Sequence, residues 1–162
     1  TTTFALASGM WLMLREPGVY QALVADSSKV PNFVEEVLRL ESPTQGFFRV
    51  ATEDCEIAGV PIKKGATLHL RYAAANRDEK VFACPEALNL DRANANRHLA
   101  FSKGEHHCPG AGLSRLEQHI AFDRLLARLP NLRLTPGAND FAHVPGFVLR
   151  ALKKLYLSFD PA

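Results

Sequence analysis

The residues able to do chemistry are concentrated in one segment. Phe101-Ser102-Lys103-Gly104-Glu105-His106-His107-Cys108-Pro109-Gly110 sets one cysteine in a glycine-punctuated loop that runs into a helix-forming stretch. A cysteine at a helix N-terminus meets free backbone N–H groups and the positive end of the helix dipole, and both favour the thiolate. Gly104 and Gly110 carry no Cβ, so the backbone can turn tightly and lie close to a flat ligand. Phe101 adds an aromatic edge to the same surface. A thiolate, a close backbone and an aromatic wall together suit a haem iron held by cysteine sulfur. His98, His106, His107 and Cys108 could also be read as zinc ligands. Structural zinc sites pair their ligands in two clusters, however, and here the second cluster is missing.

Two charged motifs lie upstream. Glu36-Val37-Leu38-Arg39 places a carboxylate and a guanidinium three residues apart, on one helix face, and Ser42-Pro43 follows. Asn89-Leu90-Asp91-Arg92 brings a further cation between this helix and the cysteine loop. With the loop pattern F-x-x-G-x-x-x-C-x-G, the E-x-x-R pair and this meander segment, the chain resembles the cytochrome P-450 haem-thiolate monooxygenases of the bacterial soluble type. The resemblance runs from Thr1 to Ala162.

The resemblance implies haem b as cofactor, with Cys108 as the axial iron ligand and Phe101, Gly104 and Gly110 shaping the cofactor-binding loop. Arg49 and His106 would meet the haem propionates, an arginine fork being suited to a carboxylate. Glu36, Arg39 and Arg92 would form a buried structural network that pins the meander to the helix. Such a network is costly unless complete. Thr1-Thr2-Thr3 enters an apolar helical stretch without an acidic first turn, so the chain would begin inside the long distal helix, with Thr1 at or beside the threonine that manages oxygen protons. Residues 1–162 would then be a single partial domain, the C-terminal part of a longer monooxygenase. Ser102 and Pro109 depart from the family's commoner glycine and aliphatic residue.

The elements that must position these groups can be read from periodicity and breakers. Phe4–Arg15 predicts a buried helix stopped by Pro17-Gly18, and Val19–Val24 a short helix. Phe33–Leu40 predicts an amphipathic helix with Pro31 near its start and Pro43 beyond its end. Phe47–Thr52, Glu56–Ala58, Val60–Ile62 and Thr67–Leu70 predict short strands, and Asn76–Ala95 an irregular segment with a helical turn. Ala111–Leu129 predicts a long amphipathic helix, with Leu113, Leu116, Ile120, Leu125 and Leu129 at helical spacing and Pro130 closing it. Leu132–Thr135, Phe147–Arg150 and Leu155–Phe159 predict final strands. The expected class is mixed α and β, mainly α: the C-terminal portion of the cytochrome P-450 fold.

Composition narrows the class only slightly. The chain has 162 residues, 47% of them hydrophobic, enough for a core in one domain. A net charge of +2 gives no argument for nucleic acid. Cys55, Cys84 and Cys108 are few and scattered, which argues against a disulfide framework and fits a reducing, cytoplasmic setting. The longest apolar run, Phe4 to Leu14, is too short to span a bilayer. By resemblance the parent would insert one atom of dioxygen into a hydrophobic small molecule, using electrons from a ferredoxin-type donor. The loops Pro43–Phe48 and Val144–Val148 would meet that substrate, and Arg97, Lys103, Arg115, Arg124 and Arg128 the donor. The alternative is a haem-binding or structural piece without turnover of its own.

Overall fold

The computed structural model describes residues 1–161. Among the described residues, five helices and six short strands follow one another: α1 (Thr2–Arg15), α2 (Val19–Ala25), α3 (Val30–Glu41), β1 (Phe47–Val50), β2 (Cys55–Ile57), β3 (Val60–Ile62), β4 (Thr67–Leu70), α4 (Tyr72–Ala75), α5 (Ala111–Arg128), β5 (Arg133–Leu134) and β6 (Leu157–Ser158). Single 3-10 turns at Ser27–Lys29, Ala95–Arg97 and Gly104–His106 join them.

The core is helical. α1 sinks Met10, Trp11, Leu12 and Met13, and α3 sinks Phe33, Val34, Val37 and Leu38. Every large apolar side chain of α3 therefore goes to one side, as its period requires. Phe122 of α5 is fully buried and meets Phe33 edge-on, with ring centroids 5.1 Å apart. Gly9 allows this contact, because a Cβ there would stand 2.5 Å from Phe122 Cζ. No helix among the described residues is long and apolar enough to cross a membrane.

The strands form three antiparallel pairs, β1 with β4, β2 with β3, and β5 with β6. In the first, Phe48 stands opposite His69 and Arg49 opposite Leu68. The strand predicted over Phe147–Arg150 is not one. That segment makes a single isolated bridge, Leu149 to Thr44, because its neighbour is the loop after α3 rather than another strand.

Of the apolar residues at helical spacing on α5, only Leu125 and Leu129 pack against the core. Leu113, Leu116 and Ile120 are exposed at 62%, 54% and 52%. The helix is instead turned so that Gln118 and Phe122 are buried, with Leu125, Leu126 and Leu129 packed against the core. The sequence carries two apolar stripes at helical spacing, and periodicity alone cannot say which one faces inward.

Candidate haem-thiolate site

The cysteine loop is closed by its own backbone. The Cys108 N–H donates to Phe101 O at 2.9 Å, and Cys108 O accepts from the Ala111 N–H at 3.2 Å, which leads the chain into α5. Gly104 has φ +71°, where only glycine is unstrained. Ser102, at the family's commoner glycine position, also has a positive φ, +61°. Its hydroxyl is tied to Tyr72 Oη at 2.9 Å, and this bond holds the conformation.

Cys108 lines a cavity of about 550 Å³. Its walls come from Thr1, Thr2 and Ala5 of the α1 end, Leu38 of α3, Pro43, Thr44 and Phe47 beyond it, and Phe101, Leu113 and Ser114 near the cysteine. The cavity thus gathers Thr1, Phe101, His106, Cys108 and Gly110 from the sequence reading. A Cβ on Gly110 would stand 3.8 Å from Cys108 Sγ, so the glycine keeps the surface beside the sulfur flat. A single sulfur on an apolar-walled cavity, with a bare backbone next to it, fits a flat iron-bearing ring.

Two predicted residues lie elsewhere. Arg49 does not reach the cavity wall; its Nη1 donates to Phe48 O at 2.8 Å and the side chain folds along β1. The tip Val144–Phe147 lines a separate groove with Gln45, Arg71 and Arg150, so only the Pro43–Phe48 loop of the predicted pair faces the cavity. His98 turns away from Cys108 toward Glu35, and the four possible zinc ligands do not converge. Cys55 and Cys84 are exposed and outside the cavity.

Behind the loop, Glu36, Arg39 and Arg92 come together in the interior. Arg39 Nε donates to Glu36 Oε1 at 2.6 Å and its Nη2 to Oε2 at 2.9 Å. Arg92 Nε donates to Oε1 at 3.0 Å, and the Asn89 N–H to Oε2 at 3.0 Å. Both carboxylate oxygens are therefore saturated. Further guanidinium protons go to the carbonyls of Asn76, Pro85 and Ala87 from Arg39, and of Ala83, Cys84 and Ala87 from Arg92. One carboxylate and two cations would leave an excess positive charge in the core, and this ring of carbonyl dipoles offsets it.

Asn76 is a hub that sequence reading missed. Its amide donates to Ser42 Oγ at 2.8 Å and accepts from the Leu99 N–H at 2.6 Å, joining the end of α3 to the run into the cysteine loop. An asparagine before an irregular stretch gives no signal of such a role.

Residues 29–136 match the family model described as Cytochrome P450. The chain belongs to the cytochrome P450 family. It is 44% identical over 162 residues to the putative cytochrome P450 140 of Mycobacterium tuberculosis, covering all of this chain and 36% of that protein. The Mycobacterium marinum cytochrome P450 CYP150A6, in its substrate-free form, superposes with a TM-score of 0.96 at 32% identity, over 100% of this chain and 41% of that one. P450BioI, solved with a hexadec-9Z-enoic acid-ligated acyl carrier protein, superposes at 0.93 with 38% identity, over 98% and 41%. The chain thus spans about two fifths of the length of these P450 relatives. Its mixed, mainly helical architecture is the C-terminal part of the cytochrome P450 fold. At the level of the family this is a haem-thiolate monooxygenase architecture, and membership implies a haem.

Proposed function

We propose that residues 1–162 form one partial domain, the thiolate side of a haem b pocket in a monooxygenase that inserts one atom of dioxygen into a hydrophobic small molecule. Cys108 carries this reading, as a lone sulfur on an apolar-walled cavity at the entry to α5. Bound there, haem supplies the dioxygen activation, and the residues of this chain supply its setting. Cys108 would hold the iron through its sulfur. Phe101 walls the cavity and Gly110 leaves room beside the sulfur, while Gly104 lies off the cavity wall and serves the turn of the loop. His106, on the same cavity, is assigned to a propionate. Arg49 takes that role only by swinging its guanidinium off Phe48 O. Thr1, on the same cavity, would hold a proton at its hydroxyl.

The apolar character of Leu38, Pro43 and Phe47 supports a hydrophobic substrate. Electrons would come from a ferredoxin-type donor docking on Lys103, Arg97, Arg124 and Arg128, all exposed. Arg115 leaves that set, because Glu35 holds it in a two-point ion pair.

The deciding experiment is a reduced carbon-monoxide difference spectrum of the haem-loaded protein. Cys108→Ser is expected to abolish the thiolate-type band, while Cys55→Ser and Cys84→Ser keep it. A thiolate-type band that survives Cys108→Ser would sink the assignment.

A further inference from the structure

Glu35 belongs to none of the sequence motifs, yet it is the second carboxylate of α3 to reach across the fold. One residue along a helix turns a side chain by about 100°, so Glu35 and Glu36 leave α3 in different directions. Glu36 goes to the meander, while Glu35 goes to α5 and to the run before the cysteine loop. Arg115 Nε donates to Glu35 Oε1 at 2.6 Å and Arg115 Nη2 to Oε2 at 3.0 Å. This is the fork-to-fork pairing that orients a guanidinium most strongly. His98 Nε2 lies 3.0 Å from Oε2. His98 Nδ1 accepts the Ala100 N–H at 3.1 Å, so Nε2 is the nitrogen that donates.

Both partners of Glu35 bear on one ring. The Arg115 guanidinium carbon stands 4.6 Å from the Phe101 ring centroid, and the His98 ring lies 5.8 Å from it, tilted. Phe101 in turn accepts the Cys108 N–H and lines the cavity beside Cys108. One carboxylate therefore holds two groups against the aromatic wall of the cavity, and that wall's backbone holds the cysteine.

We propose that Glu35 is a positioning residue for the Cys108 loop, acting through Arg115 and His98 on Phe101 and keeping the loop closed on the thiolate. The proposal rests on the reading of Cys108 as the iron ligand. Glu35→Gln keeps the side-chain shape but loses the charge that orients Arg115. Arg115→Gln breaks the same chain one link on.

The test uses haem-loaded protein at matched haem content. It follows the rate at which the reduced, carbon-monoxide-bound form loses its thiolate-type band. Glu35→Gln and Arg115→Gln are each expected to speed this loss about tenfold, as for one lost charge-assisted hydrogen bond. Added to Phe101→Leu, either is expected to change the rate by less than about twofold, because its route to the cysteine is already cut. A Glu35→Gln rate equal to wild type, or full additivity with Phe101→Leu, overturns the proposal. If Glu35→Gln yields no loaded protein, the Arg115→Gln and Phe101→Leu pair reads the same coupling. A wild type without a thiolate-type band overturns the Cys108 reading, and this role falls with it.

Discussion

Glu36 takes four hydrogen bonds on two oxygens, and no water could replace its partners at that depth. Glu36→Ala would leave two guanidinium groups facing each other in the interior. We expect a loss of about 3–5 kcal/mol of stability, together with haem, as for other broken buried pairs. Urea midpoints and haem-to-protein ratios check this; a near-wild-type midpoint would mean that the carbonyl ring alone neutralises the arginines. Glu35 adds a dependence on acidity. Burial raises its pKa, but the hydrogen bonds and charges of His98 and Arg115 outweigh burial and leave it at about 2, against 4.5 when free. The folded value is the lower one, so this contribution is present above pH 4.5 and is lost as pH falls toward 2. Its size is roughly 3 kcal/mol. The stability gap between wild type and Glu35→Gln should therefore close between pH 4.5 and 2, as read by urea midpoints along a pH series. A gap that does not narrow would show that shape, not charge, holds Arg115. The two neighbouring carboxylates differ in how far sequence reveals them. Glu36 has a cation three residues on, within one motif. Glu35 finds its partners 63 and 80 residues away, and on the page it looks like one more solvated helix carboxylate.

The helices were legible in outline, α3 in its buried face as well, and α5 not in its rotation. α1, α3 and α5 lie where apolar spacing and prolines put them. The inward face of α5, however, is decided by Gln118 and Phe122 meeting α1 and α3, not by the most regular run of leucines. Gln118 donates to Ser114 O and Oγ on its own helix, while its Oε1 is buried without a partner. The close approach of α1 and α5 depends on Gly9. Gly9→Ala would push a methyl into the Phe122 ring, at a cost of about 1–3 kcal/mol. Phe122→Leu in the same chain should recover part of that loss, measured by thermal melting of the two single variants and the double variant. Simple addition of the two losses would mean that the helices separate rather than clash.

At the scale of the molecule, three distant parts of the chain are drawn to one place by side chains rather than by sheet or helix packing. The stretch from Asn76 to Arg92 has little regular structure, which the sequence announced through its charges, asparagines and Pro85. The sequence could not announce that Arg39 and Arg92 would supply the hydrogen bonds this backbone does not make with itself. Surface loops ordinarily accept extra residues at little cost, since loop-closure entropy grows slowly with length. This one should not. Its carbonyls at Ala83, Cys84, Pro85 and Ala87 each sit at the end of a particular guanidinium N–H. One glycine inserted between Pro85 and Glu86 would shift Ala87 out of its place under both arginines. The same insertion between Ala58 and Gly59, at the exposed turn of β2 and β3, meets no such fixture. The first should cost upwards of about 3 kcal/mol and the second about 1 kcal/mol or less, as urea midpoints will tell. The irregular stretch then behaves like a measured spacer, and the insertions and deletions that variants of this chain tolerate should cluster in its hairpins and avoid residues 83–87.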